Sequence, residues 1–180
     1  MTIEGFFTES DRTTVVKAAR LAEGLVMRYF NLASDEWATN PYSLLTWKET
    51  APWLRDSNVF AQTVRIRPRK RTAPRRSEKD PISYGVVLQD PAILRALLRP
   101  ARHDLWTLGL FVLTHELVHI VRFRKFEVDF FGSVDEKQAE ENLVHGFTKE
   151  ILSGVETMDN LFHLYESGSK IKHQRLFESV

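Results

Sequence analysis

Five residues near the middle of the chain have the types and spacing of a metal-dependent hydrolytic site: His115-Glu116-Leu117-Val118-His119, an HExxH motif. On an α-helix, side chains four positions apart share a face, so the two imidazoles project side by side and can bind one zinc ion. Glu116 reaches the same space from the flank and can act as a base on a metal-bound water. The motif therefore indicates a zinc-dependent hydrolase, and a peptidase in particular.

The surroundings of the motif favour a metal site over two ordinary core histidines. It lies inside an apolar run from Leu105 to Val121, where the other polar side chains are Thr107 and Thr114. A helix that is apolar on all sides is a buried helix. A buried Glu116 between two buried histidines is costly unless these groups are paired or bound to a metal. The run is shorter than the roughly 20 residues that span a bilayer, so we expect a core helix.

Length and composition predict one cytoplasmic domain. The chain has 180 residues, 43% of them hydrophobic, with twelve Phe and four Trp, which can build a sizeable core. We expect a single domain over residues 1–167 and a loose polar tail over 168–180. The absence of cysteine excludes disulfides, thiolate nucleophiles and Cys-based zinc fingers, so a metal must use His and carboxylates. The N-terminus lacks the features of a secretory signal.

Hydrophobic periodicity predicts the elements that must position the motif. Short helices are expected over residues 34–56, and the two predicted strands can form a hairpin with a long connection. The longer predicted elements are a helix over 9–33, strands Val59–Arg67 and Ile82–Gln89, a short helix Ala92–Arg99 capped by Asp90, the motif helix from about His103 to Phe123, and a last helix from about Asp135 to Tyr165.

A third zinc ligand is expected on the last helix. Catalytic zinc usually takes three protein ligands and leaves one position for water. The candidates on this helix are Glu136, Glu140, Glu141 and His145. Acids near a helix start, such as Glu136, are common for dipole reasons alone. Periodicity leaves the other two acids open, because Glu140 lies on the apolar stripe and Glu141 shares a face with His145.

Here the chain resembles the gluzincin branch of the zincin metallopeptidases, the thermolysin-like group. In that group a second helix supplies a Glu ligand beyond the HExxH motif, often in an E-x-x-x-D pattern whose acid supports a ligand histidine. Glu141 begins such a pattern, and His145 stands where the acid is usual. The resemblance thus implies Glu141 as third ligand and His145 as its neighbour in the second shell, with Glu140 as the alternative third ligand.

The resemblance implies an α+β, zincin-like fold: a small twisted β-sheet, a backing N-terminal helix and two zinc-binding helices. It implies one Zn²⁺ per chain, held by His115, His119 and Glu141. It also implies Glu116 as general base in the hydrolysis of a peptide or protein substrate. In zincins a strand beside the active site often binds the peptide through backbone hydrogen bonds, and Ile82–Gln89 is the candidate for that strand. The sequence does not show which residue donates the hydrogen bond that stabilises the oxyanion.

Rival interpretations use other features of the chain. A zincin-like module that binds zinc without catalysis would have no use for Glu116, and a fourth protein ligand such as His145 would favour it. A third histidine ligand of the metzincin type fails, because Arg122 and Lys125 occupy the corresponding positions. The segment Arg65–Arg76 is rich in Arg and Lys, which leaves nucleic acid open as a partner; without interleaved aromatic residues, a solvated loop explains it better.

Overall fold

The apolar run folds as one helix, α4 (Leu105–Lys125), at the centre of the fold. Asp104 precedes it and caps it, since its Oδ1 accepts a hydrogen bond of 2.8 Å from the backbone N–H of Thr107. Every residue from Thr107 to Val121 is buried. The helix is long and apolar enough to cross a membrane by length and composition, but most of it is buried inside the protein, as the core helix of a globular domain is.

This computed structural model describes residues 5–66, 83–98, 103–125, 132–156, 158 and 161–162 of the chain. Within them, five α-helices and a small mixed sheet confirm the expected α+β class. The tail predicted over 168–180 and the basic segment beyond Ile66 lie outside the described residues. The elements besides α4 are α1 (Glu9–Tyr29), α2 (Glu36–Thr39), β1 (Tyr42–Leu45), a 3₁₀ turn (Pro52–Leu54), β2 (Ala61–Ile66), β3 (Ser83–Leu88), α3 (Asp90–Leu97) and α5 (Val134–Leu152).

Helix α1 covers one side of α4, in the most extensive contact between any two elements. Thr8 caps α1 and exchanges hydrogen bonds with Asp11 in a capping box. The buried face of the helix consists largely of small residues, among them Ala18 and Ala22. A Cβ built on Gly109 of α4 would lie 3.7 Å from the Cβ of Ala18, so the two helices cross at close range. The helix predicted over residues 9–33 is present, and it ends four residues earlier, at Tyr29.

The sheet has the strand order β1-β3-β2, with β1 parallel and β2 antiparallel to β3. The two predicted strands do pair, with Thr63 opposite Val86. However, β3 is the central strand and is paired on both sides, so its candidate role of binding a peptide through free backbone groups is wrong. Strand β2 and, less closely, β3 contact α4. On the opposite face, Val64 and Val87 form a small apolar cluster with Leu54.

Strand β1 lies where short helices were expected, and only the four-residue α2 and the 3₁₀ turn appear there. Two aromatic residues of this segment connect it to α1 by hydrogen bonds. The Tyr42 hydroxyl donates to Glu23 Oε1 at 2.9 Å, and the Trp37 indole donates to the Glu23 carbonyl at 3.3 Å. Residues 42–45 form a strand because they pair with β3, which is distant in sequence, and no local pattern reveals this pairing.

Helix α5 starts as expected and ends earlier. Ser133 and Glu136 form a capping box at its start, which explains the acid at position 136 without a metal. The helix ends at Leu152, not near Tyr165, and Ser153 and the following glycine lie in a turn. Successive turns then bring Met158, Leu161 and Phe162 into the core. Those buried residues continue an apolar pattern, which is why the sequence suggested a longer helix.

Asp90 is not the side-chain cap that the sequence predicted for α3. Gln89 holds the cap position, and no side-chain cap bond forms there. The Asp90 carboxylate is buried and accepts from two distant backbone N–H groups: Oδ2 from Phe7 at 3.2 Å and Oδ1 from Trp47 at 3.1 Å. Asp90 therefore fastens the segment before α1 and the loop after β1 to the start of α3.

We expect Asp90→Ala to lower the free energy of unfolding by about 2–5 kcal/mol, because it leaves two buried N–H groups without an acceptor. Asp90→Asn should cost less, since its single carbonyl oxygen can still serve one of them. Urea unfolding measures both, with Asp135→Ala on the exposed start of α5 as control. Equal stability of wild type and Asp90→Ala would contradict this role.

Candidate metal centre

The HExxH residues face the inside of the protein. His115 and His119 are 3% and 0% exposed, and their Nε2 atoms lie 3.2 Å apart. They stand one turn apart on α4, as the motif predicted, with ring centroids separated by 4.9 Å. Two imidazole nitrogens thus point at a common volume next to α5.

Glu141 of α5 completes a triangle with these two nitrogens. Its Oε2 lies 3.3 Å from His115 Nε2, and its Oε1 lies 3.2 Å from His119 Nε2. The side chain is 12% exposed. One ligand atom from each of the three residues can be chosen so that all lie within 4.8 Å of one another, and this is the one group of metal-binding type found among the described residues.

The spacing and chemistry of this group fit one zinc ion. Two atoms that each lie about 2.0–2.1 Å from a tetrahedral zinc ion are about 3.3 Å from each other. In the structure the two imidazole nitrogens are 3.2 Å apart, and each lies 3.2–3.3 Å from a different oxygen of the Glu141 carboxylate. Two neutral imidazoles and one carboxylate are also a donor set found in catalytic zinc sites, which leave a fourth position for water.

The electrostatics of the site bind the three side chains together even without a cation. Burial on its own lowers the pKa of His115, but the hydrogen bond and negative charge of Glu141, with smaller effects of Glu116 and Glu140, raise it overall. Burial would raise the pKa of Glu141, yet its hydrogen bonds with His115 and His119 hold that pKa well below its usual range. A metal cation at this position would therefore replace a proton shared by the same groups.

Glu140, the alternative third ligand, is directed elsewhere. Arg122 holds its carboxylate with two charge-assisted hydrogen bonds, from Nε at 2.6 Å and from Nη2 at 2.8 Å. The guanidinium also stacks over Phe147, 5.4 Å from the ring centroid. Glu140 Oε1 lies 4.0 Å from Nδ1 of His119, on the side of the ring away from the metal-facing Nε2. This places Glu140 behind a candidate ligand.

The Nδ1 atoms of both histidines, which lie on the side of each ring away from Glu141, lack a hydrogen-bond partner within the described residues. A histidine that binds a metal through Nε2 carries its proton on Nδ1, and this N–H usually donates to a carboxylate or carbonyl. Near His119, Oε1 of Glu140 lies 4.0 Å from Nδ1, about one ångström beyond hydrogen-bond distance. The sequence pointed to His145 for this supporting role; in the structure its ring packs edge-on against Phe111, with centroids 6.3 Å apart.

Glu116 is 3% exposed and is joined to a residue that the sequence did not single out. The hydroxyl of Thr63, on β2, lies 2.8 Å from Glu116 Oε2 and 3.3 Å from its backbone oxygen. Fifty-three positions separate the two residues in sequence, and only the pairing of β2 with β3 beside α4 brings them together. Alternation within β2 could have shown that Thr63 faces inward, but not which group it meets.

Comparison of the chain with protein-family models, with curated proteins and with solved structures finds no match. The resemblance to gluzincins therefore stays an interpretation of the motif and of Glu141. What the structure adds is geometric: the three expected ligands meet, Glu116 lies beside them, and Glu140 pairs with Arg122. Most of the basic segment lies outside the described residues, so its role stays open.

We expect the purified protein to bind one zinc ion per chain, and His115→Ala and His119→Ala to abolish that binding, because each removes one of three converging donors. Elemental analysis of the wild type and both variants measures it. His103→Ala, outside the triangle, is the matched control. Full zinc content in the two motif variants would contradict the assignment.

The two neighbouring acids of α5 should differ in their effect on zinc affinity. Glu141→Ala removes a donor and should weaken binding by more than the about 10- to 100-fold typical of second-shell losses. Glu140→Ala should stay within that range, and the exposed Glu136→Ala should have no effect. Competitive titration against a chelator measures all three. A larger loss in Glu140→Ala than in Glu141→Ala would make Glu140 the ligand.

Proposed function

We propose that this chain is a zinc-dependent metallopeptidase with a zincin-like site. The observation that carries the proposal is the convergence of His115, His119 and Glu141 on one volume, with Glu116 next to it on the same helix. Hydrolysis is supported by the residue types, since a structural zinc site has no need of an adjacent carboxylate base. The peptide bond as substrate is supported by the likeness of the motif and of Glu141 to the gluzincins.

In this proposal His115 and His119 hold the metal through Nε2, and Glu141 holds it through its carboxylate. When bound, zinc polarises a carbonyl group and lowers the pKa of water toward neutrality. The carboxylate of Glu141 also balances part of the cation's charge, which matters in a site with so little solvent. The metal would join α4 and α5, the two helices that supply its ligands.

Glu116 is assigned the proton transfers. Its carboxylate takes a proton from the attacking water as the water oxygen bonds to the carbonyl carbon of the substrate. It then gives this proton to the leaving nitrogen as the C–N bond breaks, so that the base is regenerated at the end of the cycle. Burial of the carboxylate keeps bulk water from exchanging that proton between the two steps.

A zinc-binding regulatory or interaction module without catalysis is the second candidate. The observation in its favour is burial: Glu116, His115 and His119 are at most 3% exposed, as in a closed structural site. Against it stands the ligand set, because only three candidate ligands converge among the described residues, whereas a structural zinc site usually has four. Activity of a zinc-loaded preparation decides between the two.

Glu116→Gln should retain one zinc ion and the fold while peptide hydrolysis falls by about 10²- to 10⁴-fold, because the amide preserves shape and cannot accept the proton. The measurement is turnover of a peptide library by zinc-loaded protein, with zinc content determined on the same samples. Glu9→Gln, an exposed change of equal charge on α1, is the control. Unchanged turnover in Glu116→Gln would refute the base; a wild type that cleaves no peptide would favour the module.

A further inference from the structure

The contact between Thr63 and Glu116 has a direction. A hydroxyl has one hydrogen to donate, and among the described residues its two acceptors both belong to Glu116: Oε2 at 2.8 Å and the backbone oxygen at 3.3 Å. The shorter distance and the negative charge favour donation to Oε2. The backbone oxygen is the carbonyl of a helical residue, whose own acceptor role lies within α4. The Thr63 hydroxyl thus serves the carboxylate.

The hydroxyl is held in place by the sheet. Thr63 lies in the middle of β2, is 0% exposed, and is paired opposite Val86 of the central strand. A β-branched side chain in a strand has few accessible rotamers, so a fixed backbone gives a fixed hydroxyl. Strand β2 also packs against α4. The donor to Glu116 therefore comes from a rigid element other than the helix that carries the carboxylate.

We propose that Thr63 is a positioning residue for the Glu116 carboxylate, an inference that rests on the proposed role of Glu116 as base. A glutamate side chain rotates about three bonds, and anchoring one oxygen sets the position of the other. Proton transfer requires that the accepting oxygen lie within hydrogen-bond reach of the water, and small displacements lower the rate steeply. The strand thereby helps to hold the carboxylate that the helix carries.

The opposing interpretation is that the hydrogen bond only satisfies a buried hydroxyl. The two differ in what removal of the hydroxyl does. If it is structural, Thr63→Val changes stability and nothing at Glu116, since valine has nearly the same shape. If it positions the base, Thr63→Val changes the carboxylate and the rate, and Thr63→Ser, which keeps the donor, restores both.

The experiment uses zinc-loaded full-length protein and two readouts. The infrared difference between each protein and its Glu116→Gln counterpart isolates the carboxylate stretching bands of Glu116. These bands should shift in Thr63→Val and not in Thr63→Ser. On a peptide that the wild type cleaves, kcat of Thr63→Val should fall about 10- to 100-fold with KM and zinc content unchanged, and Thr63→Ser should stay near wild type.

Thr114→Val is the matched control, because Thr114 is also fully buried and its hydroxyl has no hydrogen-bond partner among the described residues. It should leave both the bands and kcat unchanged. If Thr63→Val does not fold, Thr63→Ala takes its place in the comparison with Thr63→Ser. Unshifted bands, an unchanged kcat, or equal losses in the serine and valine variants would overturn the positioning role. A wild type that cleaves no peptide would instead overturn the proposed function itself. That outcome is distinguishable because wild type and variants then all lack turnover.

Discussion

Burial of an ionisable motif in the middle of an apolar helix is the constraint on which the rest of the structure depends. An imidazole pair and a carboxylate transferred from water to the core cost several kcal/mol unless each finds a partner. Groups from other elements supply these partners. Glu141 of α5 faces both imidazoles, and Thr63 of β2 donates to Glu116. Helix α4 can carry the motif only because α5 and β2 flank it.

Glu140 and Glu141 have different partners because they point in different directions from the helix. Adjacent helical residues point about 100° apart, so only one of two neighbouring acids can reach a fixed point. Glu141 reaches the Nε2 side of the histidines, whereas Glu140 meets Arg122 and the outer side of His119. The two hydrogen bonds from Arg122 to Glu140 join the last turn of α4 to α5.

The sequence was informative where a local pattern carries the signal. The motif spacing placed His115 and His119 on one face. Apolar periodicity predicted the four longer helices with most of their ends within a few residues, but it extended the last helix too far. Pairing between distant segments was out of reach. Strand order in a sheet is set by contacts across the fold, so the central position of β3 and the existence of β1 left no local trace. For the same reason Thr63 could not be connected with Glu116. The choice of Glu141 over Glu140 came from a family pattern and not from periodicity, which was ambiguous.

The ligand geometry also links metal binding to the docking of α5. This helix contacts α4 and, less closely, α1, and much of its surface is exposed. Two of three candidate ligands belong to the core helix and the third to α5, so any cation held by all three adds its binding free energy to the association of the two helices. Without the cation, that association still has the pairing of Glu141 with the imidazoles, at 3.3 Å from His115 Nε2 and 3.2 Å from His119 Nε2. A proton and the proposed metal ion would therefore compete for one set of atoms. In the proposed function the site would lose its metal without losing the pairing between Glu141 and the two imidazoles that joins α5 to α4.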